Sequence, residues 1–144
     1  MSITIVPSTE KDIATLRYWM DVDIDPTHHC ADPFWWITGS EGSLLCFCTQ
    51  DSEGPLCYVR LDPKDSDGLI RLHTQFAPRD QVSKLRLVGA MLKCFPMVQL
   101  FCRQQSGSGI IFQSTSMSLI DFMKRKFGFE QFSQDQFIWR TKEG

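Results

Sequence analysis

The sequence predicts an α/β (α+β) fold: a mixed, mainly antiparallel sheet of six to seven strands flanked by about four helices. Three observations carry this. Three strand-like runs follow one another between residues 43 and 76, separated by Asp51-Ser-Glu-Gly-Pro and Pro63-Lys-Asp-Ser-Asp-Gly. Connections that short and that rich in turn formers join antiparallel neighbours. Amphipathic segments stand before the runs and after them, so helices must cover the sheet.

Taken in order, Ser2 to Val6 alternates, is rich in β-branched residues and is closed by Pro7, a first strand. Thr9 and Asp12 have capping-box spacing, and Ile13, Leu16 and Met20 continue at helical spacing over 10–20. Acidic residues from Asp21 to Pro26 break the pattern, and a short helix is expected over 28–37, ending near Gly39. The strands Ser43–Gln50, Leu56–Asp62 and Leu69–Phe76 follow. Val82, Leu85, Val88, Gly89, Leu92 and Phe95 then share one helical face, which Pro96 stops or kinks. Gly109–Thr115 reads as a buried strand. Ser118 and Asp121 suggest a second capping box for a helix carrying Ile120, Met123 and Phe127. Lys124, Arg125 and Lys126 suit its negative end, and Gly128 is a natural left-handed cap. Phe129–Phe132 and Gln136–Arg140 complete the order β-α-α-β-β-β-α-β-α-β-β.

Composition narrows the function classes. The 144 residues are one domain's worth of chain, read as 1–144, and 42% hydrophobic with 22% charged residues is a globular balance. Fifteen Lys and Arg against 17 Asp and Glu give a net charge of -2, so no general field gathers nucleic acid and any anion site is local. No apolar run reaches the roughly 18 residues of a membrane span, and no signal peptide precedes the first strand. A cytoplasmic setting follows, with Cys30, Cys46, Cys48, Cys57, Cys94 and Cys102 reduced, since no CxxC pair occurs. Asp25, His28, His29, Cys30 and Asp32 mix hard and soft ligands with no second half-site. A loop and helix cap account for the acids, so no metal is expected. No Ser-His-Asp order, GxSxG, HExxH or P-loop appears, and Gln104-Gln-Ser-Gly-Ser-Gly lacks the strand-before, helix-after setting of a dinucleotide fingerprint.

Two segments, Phe76-Ala-Pro-Arg-Asp-Gln-Val-Ser-Lys-Leu-Arg and Phe122-Met-Lys-Arg-Lys-Phe-Gly-Phe-Glu, together with the element order, resemble the GNAT superfamily of N-acetyltransferases. The resemblance spans the whole chain by element order. It implies acetyl-CoA, or another acyl-CoA, lying in a strand splay with its pyrophosphate on the start of the next helix, and a small-molecule or peptide amine as acceptor. The family pattern Q/R-x-x-G-x-G/A falls on Gln81-Val82-Ser83-Lys84-Leu85-Arg86, where Lys84 and Arg86 replace both small residues. Arg79, Lys84 and Arg86 either pair with the anion or are solvent-facing charges of a member that has lost its cofactor. The peptide groups of Thr74, Gln75 and Phe76 would polarise the thioester.

His73 is the candidate general base, on a face with Arg71 and Gln75; the competing reading is a half-exposed sheet histidine. Lys124 stands where many members carry a thiolate-protonating tyrosine, and Met117 or its neighbours replace a common asparagine; its helix-end position also explains Lys124 without chemistry. Phe34, Trp35 and Trp36 cannot all face inward, so they border the acceptor, form a lid or make a homodimer contact. The implied activity is acyl-CoA-dependent N-acyl transfer by direct attack. The competing class is an inactive GNAT-like domain that binds a ligand or a protein partner.

Overall fold

A computed structural model of the chain describes residues 2–23, 28–29, 31–37 and 45–141. Strand β1 (Thr4–Pro7) leads through a 3-10 turn (Glu10–Asp12) into helix α1 (Ile13–Asp21). The expected capping box is present: Thr9 and Asp12 exchange side-chain bonds with each other's backbone, and the other Asp12 oxygen accepts from the buried Tyr58 hydroxyl at 2.7 Å. Helix α2 is shorter than expected, Pro33–Ile37, with Pro33 at its start, where a missing N–H is harmless. The proposed end at Gly39 lies outside the described residues, as do the first two residues of the 43–50 strand.

Strands β2 (Leu45–Asp51), β3 (Gly54–Leu61) and β4 (Leu69–Phe76) form the antiparallel run that the turn chemistry predicts. Helix α3 (Lys84–Gln104) continues past Pro96 and is not stopped by it. A proline inside a helix costs about 3 kcal/mol, but Met91, Cys94, Phe95, Val98 and Cys102 are all buried on the face that spans it, and that packing outweighs the lost bond. Among the described residues α3 is long and apolar enough by length and composition to cross a bilayer, which the run-by-run reading of the sequence did not anticipate. Its buried stripe packs on the sheet.

Strand β5 (Gly109–Gln113), helix α4 (Met117–Phe127), the short β6 (Glu130–Gln131) and β7 (Gln136–Arg140) complete the chain. The cap of α4 is Ser116, whose hydroxyl accepts from the Leu119 N–H, two residues before the expected box; Asp121 instead pairs with Arg125 at 2.8 Å. Gly128, at φ 75°, is the left-handed cap, a conformation that disfavours side chains with a Cβ.

The sheet order is β1-β2-β3-β4-β5-β7-β6, antiparallel throughout except where β4 and β5 run parallel. Helices α3 and α4 cover one face, meeting Phe47, Val59, Ile70, Leu72, Ile110 and Phe112. Helices α1 and α2 cover the other, where Leu16, Trp19, Met20 and Trp36 meet Cys48, Leu56 and Tyr58. The described cysteines are free thiols. Burial pushes Cys48 and Cys94 up to about 12, so neither is ionised near neutral pH.

Candidate functional site

Among the described residues one strand pair, β4–β5, runs parallel, and it makes the site. Strands β4 and β5 are in register only over Leu69–Arg71 against Gly109–Ile111. Beyond that point β4 stays with β3 as far as Phe76, while β5 stays with β7 as far as Gln113, so the two strands part. The wedge opens into a groove of about 1520 Å³ that passes between α3 and α4 and reaches α1 and α2 on the opposite face. Leu87, Val88 and Met91 supply an apolar wall from α3, facing Leu119 and Phe122 from α4. Ser114, Thr115, Ser116 and Ser118 add a hydroxyl-rich lip.

Ladder phase decides which peptides face this space. The Arg71 carbonyl accepts from Asp62 N and the Ala77 N–H donates to Leu56 O, both across β3. Alternation along an antiparallel ladder then turns the peptides of Thr74 and Phe76 toward the groove and that of Gln75 away from it. Of the expected trio, the Thr74 and Phe76 peptides face the groove and the Gln75 peptide faces β3. The Gln75 side chain is buried at 2% exposure and is fully occupied elsewhere: Nε2 donates to Asp23 Oδ2 at 2.8 Å, and Oε1 lies 2.8 Å from His28 Nδ1. It ties the segment after α1 to β4.

His73 lines the groove. Its Nε2 lies 2.8 Å from Asp62 Oδ2, and the other Asp62 oxygen accepts from Arg60 Nε at 2.8 Å. Burial pushes the Asp62 carboxyl up, but hydrogen bonds from His73 and Arg60, with their charge, more than offset it and hold the group below the usual carboxylate range. Arg60, 2% exposed, also donates to the carbonyls of Trp35 and Trp36, and its guanidinium stacks 3.6 Å from the Trp35 ring centroid. The two indoles meet His73 edge-on, at 5.4 and 6.0 Å. One buried arginine thus holds the carboxylate, and with it α2 and the aromatic wall beside the imidazole. Phe34 does not share that wall; it is 57% exposed and lines a separate hollow with Ile13, Ala14 and Arg17.

The basic residues divide in the same way. Arg79 and Lys84 line the groove at the start of α3, together with Asp80. Arg86 does not: Asp51 on the β2–β3 hairpin holds it in a fork at 2.7 and 2.8 Å, and this pairing keeps the Asp51 carboxyl low. Ser83 caps the helix through the Arg86 N–H, Val82 is buried, and the Val82 N–H donates to Pro78 O. Gln81 reaches Tyr18 at 3.4 Å, and Leu85 faces outward at 81% exposure. Among the described residues, the N–H groups of Ser83, Lys84 and Leu85 make no hydrogen bond, as at any helix start. Lys124 is outside the groove, its ammonium 6.0 Å from the Phe137 ring. On α4 the groove is flanked instead by Arg125 and Lys126.

Of the ligand-type residues between 25 and 32, from which no metal site was expected, Asp25 and Cys30 lie outside the described residues, while His28 and His29 bond to Asp23. No group of three or more ligand-type side chains that could hold a metal occurs among the described residues.

A parallel pair that splays between two helices, with an open helix start at its mouth, is the architecture of the GNAT acetyltransferases. A GNAT-family acetyltransferase from Staphylococcus aureus Mu50 superposes with a TM-score of 0.72 at 12% identity, over 98% of this chain and 100% of that one. A GNAT-family acetyltransferase from Brucella melitensis, solved with acetyl-CoA, matches at 0.61 and 14% identity, over 99% and 90%. The aminoglycoside acetyltransferase AAC(6')-Ib, solved with coenzyme A and kanamycin, matches at 0.66 and 16%, over 96% and 95%. No protein-family model and no curated protein matches the sequence. The fold is therefore that of the GNAT acetyltransferases, reached with a sequence far from theirs.

Proposed function

We propose that this chain is a divergent GNAT-superfamily member, an N-acyltransferase that moves an acetyl group from acetyl-CoA to an amine by direct attack. The observation that carries the reading is the β4–β5 splay, whose groove joins the open start of α3 to the Asp62–His73 pair. The donor chemistry at the helix start fits a pyrophosphate: three N–H groups lacking partners, the positive end of a 21-residue helix, and the side chains of Arg79 and Lys84. Bound acetyl-CoA supplies an activated thioester. The peptide N–H groups of Thr74 and Phe76 are the donors that would polarise its carbonyl.

His73 accepts the proton of the attacking amine. With Nε2 engaged by Asp62, Nδ1 is the nitrogen left to do so. The C–N bond forms, the C–S bond breaks, and the coenzyme leaves as a thiolate that takes a proton from solvent. Trp35 and Trp36 flank the incoming amine. The same reading treats 1–144 as one catalytic domain, and the free thiols suit a cytoplasmic setting.

The second reading, a ligand-binding domain without catalysis, is favoured by the start of α3, where bulky Lys84 and acidic Asp80 stand where close phosphate approach is needed. Calorimetric titration with acetyl-CoA and desulfo-CoA, followed by CoA release over a panel of amines, separates the two. Acyl transfer requires that both bind and that His73→Ala lowers kcat by about 10²- to 10⁴-fold at unchanged acetyl-CoA affinity. Binding without turnover of any amine supports the second reading, and no binding at millimolar concentration overturns both.

A further inference from the structure

The acceptor side of the groove holds a cation that the acyl-transfer step does not use. Arg71 lines the groove, half-buried, at the vertex where β4 leaves β5. It lies on the same face as His73, two residues along, so their Cα atoms are about 7 Å apart. Among the described residues its guanidinium makes no hydrogen bond and no ion pair. The nearest acid by ladder position is Asp62, whose N–H bonds the Arg71 carbonyl. Both Asp62 oxygens are already taken, by Arg60 and by His73. Asp23 and Asp32 also line the groove, Asp23 accepting from the Gln75 side chain at 2.8 Å, so the Arg71 guanidinium is the cation there without a partner of its own among the described residues.

Resting on the acyl-transfer reading, we propose that Arg71 is an acceptor-binding residue that selects amines carrying a carboxylate, of the amino-acid class. A guanidinium fork matches a carboxylate in two parallel hydrogen bonds. A compact molecule with both groups spans the two side chains, its carboxylate on Arg71 and its amine at His73. A polycationic amine would meet the guanidinium with like charge.

The test uses N-acetylglycine and N-acetylglycinamide, product-like probes that need no turnover and differ only in the carboxylate. Both are titrated calorimetrically into the full chain and its variants, with the Arg71 Nε–Hε resonance of the native chain as a second readout. Expected is a shift with the acid, an affinity for the acid at least about tenfold above that for the amide, and loss of this preference in Arg71→Gln with part of it kept in Arg71→Lys. Equal binding of acid and amide, binding of neither, or a preference that survives Arg71→Gln overturns the proposal. Acetyl-CoA is titrated separately. If it fails to bind while the acid preference depends on Arg71, the acyl-transfer reading falls and the anion site stands. If acetyl-CoA is turned over equally with amino acids and their amides, the acyl-transfer reading stands and Arg71 selects nothing.

Discussion

Arg60→Met tests the claim that one buried side chain holds the tryptophan wall beside His73 in place. The substitution keeps most of the volume and removes the charge. The arginine side chain is 3% exposed, so its interactions are poorly screened by water. Its loss removes the bond to Asp62, two bonds to α2 carbonyls and the stack on Trp35. Removing one partner of a buried ion pair costs about 3–5 kcal/mol. Asp62 keeps His73 and is 23% exposed, so some water reaches it and the lower end applies, about 3 kcal/mol. For a chain of this size that is a fall in melting temperature of roughly 9 °C, at about 3 °C per kcal/mol. In urea, with a slope of about 2 kcal/mol per M, the midpoint falls by about 1.5 M. The assay is equilibrium urea unfolding followed by Trp fluorescence, paired with steady-state kinetics. Because α2 is released and the α3 start is untouched, the acceptor KM should rise while acetyl-CoA affinity holds. A loss below about 1 kcal/mol with unchanged acceptor KM would refute the reasoning, since Arg60 would then be an onlooker.

Two further outcomes follow from the charges. Arg86→Ala should leave acetyl-CoA affinity unchanged within about twofold, because Asp51 already neutralises that guanidinium, whereas Lys84→Ala should weaken it by about tenfold, the worth of one charge-assisted contact; calorimetry on the two single variants checks this. Asp62, held below the usual carboxylate range in the fold, is protonated at about 3.9 when unfolded. The ionised carboxylate therefore contributes stability above about pH 4, and this is lost as pH falls through its lower folded value. Urea midpoints from pH 7 to pH 3 should drop more steeply for the native chain than for Asp62→Asn, and parallel curves would contradict the assignment.

Much of the architecture was legible because it is local chemistry. Turn residues spaced the β2–β4 strands, Thr9 and Asp12 capped the first helix, and Gly128 ended α4 in the φ > 0 conformation that favours glycine. Where local rules pointed elsewhere, tertiary contacts won. Pro96 failed to stop α3 because a buried stripe continues past it. The site was legible in part. His73 could be placed on a face by alternation, but its partner Asp62 could not. That requires the β3–β4 register, in which Arg60 stands opposite His73 and Asp62 falls diagonally across from it. Read across a hairpin, the run Arg60-Leu-Asp62 was the available signal.

By itself, then, the sequence determined the element order, the antiparallel run and the resemblance to acetyl-group transferases, since periodicity, turn propensity and capping act over a few residues. Which cations serve the groove was decided only by the tertiary structure. Arg86 and Lys84 are near neighbours on one helix, yet Arg86 is spent on Asp51, 35 residues away in the chain, and only Lys84 lines the groove. Charge acts through space, so the partner that silences a residue, or leaves one such as Arg71 with its charge unspent, is set by the fold and not by the neighbours in sequence.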